Sequence, residues 1–270
     1  MILNHCNFFS KVLASHVDVN ILLPSLPDND AYKAETLENT YIYKQYPVLY
    51  LLHGALDDYS MWLRHTNIER YAEKAQIVVV MPSGQNMFYS NAKYGLNYFD
   101  FITKELPLFV ETYFPVKKDR NSTFIAGPSM GGYGASKCAL RCLDKYYAFG
   151  DLSGAVDPIK LKPLMESMNF DFFRYDLIWG SVDNQKDSLD DVFYLAKQLK
   201  ESEIKPKAHI FCGIEDTNNH EMNKRFYDVL IDNGFNAKFT DGHGYHDWTY
   251  WDSCIKTFLE EISNDSYELE

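Results

Sequence analysis

Short apolar runs rich in β-branched and aromatic residues alternate along this chain with longer segments of helical period. That alternation predicts an α/β protein with a mostly parallel central sheet and helices on both faces. Two of the runs, 48–52 (VLYLL) and 77–81 (IVVVM), are apolar throughout, as parallel strands covered on both sides are. The chain's 270 residues, 46% hydrophobic and 24% charged, are ordinary for a globular protein and exclude collagen-like, disordered and coiled-coil readings. The expected organisation is one domain over residues 1–270, with 155–187 as a cap-like insertion over the top of the sheet.

Taken in order, residues 4–9 and 17–23 read as a strand pair ended by Pro24, and the polar, Asn/Asp-rich stretch 24–47 reads as loop. The two central runs follow, joined by a helix over 60–74. Residues 97–114 space Tyr98, Phe101, Ile102, Leu106, Phe109, Val110 and Tyr113 along one helical face, and Pro107 inside it predicts a kink or a break. A strand at 123–126 enters a glycine-rich turn, and the small residues of 130–143 suit a helix packed closely on a sheet. Strands at 149–152, 208–212 and 236–240 then alternate with helices at 189–200, 219–233 and 248–262. Segment 155–187 breaks the alternation: Phe170, Phe172, Phe173, Tyr175 and Trp179 follow no clear period.

The balance of 26 Lys plus Arg against 38 Asp plus Glu gives a net charge of −12, which opposes binding to a phosphate backbone, so no nucleic-acid partner is expected. Five scattered cysteines form no CxxC pair and point neither to a disulfide framework nor to a zinc site. His5, Asn7, His16 and Asp18 interrupt any signal-peptide core in the first twenty residues, and no apolar run reaches about 18 residues. The expectation is a cytoplasmic protein with no membrane partner, no metal and no cofactor. An aromatic content of 16% leaves a homo-oligomer as a further expectation.

The chemistry is carried by Gly127-Pro128-Ser129-Met130-Gly131, a G-x-S-x-G placed between a predicted strand and a predicted helix. A sharp turn there lifts a serine hydroxyl above the carboxyl end of a sheet, and the helix start offers the Met130 N–H to a developing oxyanion. A hydroxyl needs a general base, and His246, on the loop between the last strand and the last helix, is the first candidate, with His243 as competitor. A carboxylate must fix the imidazole; Asp216, just past the strand at 208–212, is favoured over Glu215. The loop after 48–52 supplies the second oxyanion N–H from Ala55, or alternatively Leu56. His53, which could be mistaken for a base, is read as a support of that loop.

In this order the segments resemble the putative-esterase branch of the α/β-hydrolase superfamily, which includes tributyrin esterases, esterase D, feruloyl and acetylxylan esterases and mycolyltransferases. The likeness rests on LYLLHG at 49–54, MWLRHTNIERYAE at 61–73, VVMPS at 79–83, FYSN at 88–91, ELP at 105–107, GPSMGGYGA at 127–135 and HDWTYWD at 246–252. It spans almost the whole chain and is strongest towards small intracellular tributyrin esterases. The resemblance implies an α/β-hydrolase fold and a carboxylesterase that cleaves short-chain acyl esters through Ser129, Asp216 and His246, with a small-molecule ester as partner. Feruloyl or acetylated-carbohydrate esters and S-formylglutathione are the alternative substrates. Two departures stand out. Pro128 precedes the serine where relatives have a larger non-proline residue, and Ala55-Leu56-Asp57-Asp58 lacks both the relatives' second glycine and the Leu-Thr-Cys continuation of S-formylglutathione hydrolases.

Overall fold

Alternate residues of the central strands point to opposite faces of one sheet, and each face has its own core. Leu49, Leu51, Val79, Met81, Phe124 and Ala126 pack with Trp62, Ile68, Trp251, Ile255 and Phe258. Their neighbours Val48, Tyr50, Val78, Val80 and Ile125 pack with Phe101, Val110, Tyr133 and Ala139 on the other side. The computed structural model that shows this describes residues 1–41 and 43–268, with side chains to residue 263.

The strands are β1 (Ile2–Ser10), β2 (Ser15–Leu23), β3 (Val48–Leu51), β4 (Val78–Pro82), β5 (Thr123–Pro128), β6 (Ala148–Leu152), β7 (Lys207–Gly213) and β8 (Ala237–Gly242). They form one eight-stranded sheet in the order β1-β2-β4-β3-β5-β6-β7-β8. β1 pairs antiparallel with β2, and β2 antiparallel with β4. From β4 to β8 every pairing is parallel, as the apolar runs predict. The winding direction reverses between β3 and β5, and at such a switch point the loops leaving two adjacent strands diverge and open a crevice. The loops after β3 and β5 therefore face each other across a natural site.

Several elements depart from expectation for local reasons. The stretch 24–47 contains two short helices, Asp28–Lys33 and Leu37–Thr40, neither of which buries a residue, so no apolar period announces them. The predicted helix over 60–74 is two helices, Met61–His65 and Ile68–Ala75. Between them Asp252 of the last helix, Trp248–Glu268, accepts the Asn67 N–H at 2.8 Å and draws it out of the helical ladder. The helix runs on through Pro107 to Tyr113 and does not stop there. A π-helical turn, Phe101–Glu105, precedes Leu106–Tyr113, and the Leu106 N–H reaches back to the Phe101 carbonyl. The Thr103 carbonyl, which Pro107 cannot serve, accepts the Lys145 ammonium. Segment 155–187 holds three helices, Pro158–Ser167, Tyr175–Ile178 and Val182–Gln185. The helix expected over 189–200 is shorter, Val192–Gln198, because Asp191 caps it by accepting the Phe193 and Tyr194 N–H groups.

Candidate active site

Ser129 stands between β5 and the helix Met130–Arg141 at φ 53° and ψ −118°, a backbone state that costs of order 1–3 kcal/mol for a residue with a side chain. The surroundings fix it there. Its N–H donates to the Leu152 carbonyl at 3.0 Å, and its carbonyl accepts the Ala155 N–H at 2.9 Å. Two glycines allow the turn to close: a Cβ on Gly127 would lie 2.8 Å from the Gly131 carbonyl carbon, and one on Gly131 would lie 2.8 Å from the His53 carbonyl oxygen. Pro128 ends β5, and the ladder bond to Leu152 comes from the serine that follows it.

The loop after β8 brings His246 to this serine, and the turn after β7 brings Asp216 to the histidine. His246 Nε2 lies 3.0 Å from Ser129 Oγ, and its Nδ1 lies 2.6 Å from Asp216 Oδ2. Asp216 is 8% exposed. Its second oxygen accepts the Asn219 amide at 2.9 Å. The same amide approaches His246 Nδ1 at 3.1 Å, but the proton of that nitrogen is directed at Asp216, so the contact is a neighbour and not a second bond. Sequence spacing did not single out Asn219. It stands three residues past Asp216, in the first turn of the helix Thr217–Asp232.

The competing candidates pair with each other. Glu215 accepts the His243 Nδ1–H at 2.7 Å and the Gly244 N–H at 2.7 Å. The bond to Glu215 raises the His243 pKa, and the same bond holds Glu215 below its ordinary value. Neither side chain has a bond to Ser129; together they brace the loop that carries His246. Replacing Glu215 by Ala is expected to lower kcat about 10-fold with KM within about two-fold, since a slightly misplaced base loses rate rather than binding. Glu215→Gln, which keeps an oxygen for Gly244, should recover most of that loss. Equal kcat in the Ala and wild-type proteins would remove the brace from the account.

The loop after β3 carries Ala55 and Leu56, the two residues expected to offer the other oxyanion donor. Leu56 N–H is taken by Asn86 Oδ1 at 2.8 Å, which removes it as the alternative, whereas the Ala55 N–H has no acceptor among the described residues. The Met130 N–H opens its helix and has no carbonyl one turn back to bond. His53 is 1% exposed and lies in this loop as a strut: Nδ1–H donates to the Gly54 carbonyl at 2.6 Å, and Nε2 accepts the Gly84 N–H at 2.7 Å. Burial pushes it down to about 4, so it is neutral near pH 7. Tyr89 completes the clamp, its hydroxyl accepting the His53 N–H at 2.9 Å and donating to the His53 carbonyl at 2.8 Å.

These groups open on a cavity of about 230 Å³, walled by Phe88, Leu161, Met165, Phe170, Phe172, Phe173 and Trp251. Among the described residues no group of three or more His, Cys, Asp or Glu side chains could hold a metal ion. No described helix is long and apolar enough to cross a membrane. The arrangement offers a serine hydroxyl, a base within bonding distance, a buried carboxylate behind it and two backbone donors, which are the parts that acyl transfer requires.

Known proteins share this architecture. An acetyl esterase of Caldicellulosiruptor saccharolyticus is 29% identical over 98% of the chain and 100% of its own length. Among solved structures, the substrate-bound fluorophosphonate-binding serine hydrolase F (FphF) of Staphylococcus aureus is 32% identical, covering 97% of this chain and 98% of that one with a TM-score of 0.84. An S-formylglutathione hydrolase (FrmB) of Staphylococcus aureus is also 32% identical, over 97% and 98% of the two chains, with a TM-score of 0.79. A family model described as Putative esterase matches residues 10–261. With that model spanning nearly the whole sheet and every residue of the site, the chain belongs to the Putative esterase family, an esterase branch of the α/β-hydrolase superfamily.

Proposed function

We propose that this esterase hydrolyses short-chain acyl esters, acetyl to butyryl, through an acyl-enzyme on Ser129. The observation that carries the reading is the unbroken line from Asp216 Oδ2 to His246 Nδ1, 2.6 Å, and from His246 Nε2 to Ser129 Oγ, 3.0 Å. His246 takes the hydroxyl proton as Oγ attacks the ester carbonyl, and Asp216 stabilises the imidazolium. The Ala55 and Met130 N–H groups hold the oxyanion. The proton passes to the departing alkoxide, and a water activated by the same histidine releases the acid.

Size supports the short acyl group. The cavity volume of about 230 Å³ lies below the ~300–1,000 Å³ of pockets that enclose drug-sized ligands. Phe170, Phe172 and Phe173, which wall it, come from segment 155–187, and we read that segment as a cap over the acyl end. The acetyl esterase relative supports the same choice. The aromatic wall favours a second reading, an aromatic acyl group stacked between these rings.

Initial rates on p-nitrophenyl esters from C2 to C12, run beside methyl ferulate and S-formylglutathione, separate the two. The expected result is a kcat/KM maximum at C2 to C4 with about a 10-fold loss or more by C8, since a cavity of about 230 Å³ favours small acyl groups. A maximum at C8 or beyond would overturn the acyl-length assignment, and methyl ferulate ahead of butyrate would move it to aromatic acids.

A further inference from the structure

The wall of the Ser129 cavity is apolar side chain and backbone almost throughout. Apart from His246, one ionisable side chain lines it, Asp57. A Cβ built on Gly54 would lie 3.2 Å from Asp57 Oδ2 and 3.7 Å from Ser129 Cβ, so at most about 7 Å separates the carboxylate from the nucleophile's side chain. Asp57 is half-buried, and among the described residues no Lys or Arg pairs with it.

The groups that face it are few. Asp58 follows it on the same loop, the Gly54 backbone bonds it, the charge of His65 acts on it from the helix Met61–His65, the Tyr89 phenol feels its charge from the turn after β4, and His246 stands across the cavity. Burial pushes Asp57 up to about 6, against the pull of His65, with Asp58 adding to the rise. The side chain is therefore an anion at pH 7.5 and mostly neutral at pH 5.

We propose that Asp57 is a charge filter on this site: its carboxylate selects short esters that are neutral or cationic near the scissile bond and rejects those that carry a carboxylate there. The inference rests on the short-acyl esterase reading and adds to it the charge class of the substrate. A second anion brought within several ångströms of a partly buried carboxylate is repelled with an energy that amounts to about 10-fold in kcat/KM.

Two matched substrate pairs test this. In the first the alcohol carries the charge, 4-acetoxybenzoate against its methyl ester. In the second the acyl group carries it, the p-nitrophenyl half-ester of glutaric acid against p-nitrophenyl butyrate. Asp57→Asn is expected to raise the anionic-to-neutral ratio of kcat/KM about 10-fold in at least one pair at pH 7.5. Asp57→Gly, with no side chain to misplace, should do the same. In the wild type the ratio should climb towards the variant value as the pH falls from 7.5 to 5, because protonation discharges Asp57 while the effect of His246 cancels between partners. Ratios unchanged within about two-fold in both pairs and both variants, or a wild-type ratio flat with pH, would overturn the filter. Loss of Ser129-dependent turnover on the neutral esters themselves would instead strike the esterase reading.

Discussion

Ser129→Ala is expected to lower kcat on p-nitrophenyl butyrate by roughly 10⁴-fold or more and to abolish covalent labelling by a fluorophosphonate. The hydroxyl is the group that His246 Nε2 faces at 3.0 Å, so without it the base has no proton to take and no acyl-enzyme forms. A residual acceleration should survive, because the Ala55 and Met130 N–H groups can still bind an oxyanion raised by water. The thermal midpoint should move little. Alanine meets the same backbone state at φ 53° as serine does, and the bonds that hold it run through the main chain to Leu152 and Ala155. His246→Ala should cost a comparable factor, and the double variant little more than either alone, since the two groups act as a unit. Turnover of the Ser129 variant within about 10-fold of wild type would sink the mechanism.

What the sequence revealed and what it hid divide along physical lines. The strands were legible because burial on both faces leaves continuous apolar runs, and the serine was legible because its turn demands glycines at fixed offsets. Asp216 and His246 followed from topology: each stands just past the carboxyl end of a strand, on the edge that carries the elbow. Their rivals Glu215 and His243 have the same residue types at neighbouring positions, and only the fold shows that they bond to each other. Tyr89 is separated from His53 by 36 residues and Lys137 from Asp190 by 53, distances over which no local period speaks. The two helices of 24–47 escaped notice for the opposite reason, as elements that bury nothing leave no apolar pattern.

Lys137 is the hidden residue with the largest expected effect. It lies on the elbow helix with its side chain fully buried, and its ammonium bonds the Asp190 carboxylate at 2.9 Å, the Phe88 carbonyl at 3.1 Å and the Ser90 hydroxyl. Burial works against an ionised Asp190, but the charge beside it outweighs this and holds the carboxyl below its ordinary value. Lys137→Met keeps the length and removes the charge, leaving Asp190 without its cation. The expected loss is about 3 kcal/mol of unfolding free energy, or about 5–10 °C in Tm for a chain of this size. Lys137→Met combined with Asp190→Leu should recover part of it, because removing both charges also removes the unpaired one. Burial lowers the Lys137 pKa and Lys137 lowers that of Asp190, so the wild-type advantage over Lys137→Met should be complete between about pH 4 and pH 7 and fade as the pH falls through the lowered Asp190 value. A Tm within about 2 °C of wild type at pH 7 would remove the pair from the account of stability. Activity should fall as well, even where the variant is folded. Phe88 and Tyr89 both sit at φ 49°, in the turn that the ammonium holds; Phe88 walls the substrate cavity, and Tyr89 clamps the His53 peptide next to the oxyanion loop. The buried charge therefore fixes, through one strained turn, both the shape of the pocket and the position of the Ala55 N–H, so that stability and turnover should decline together.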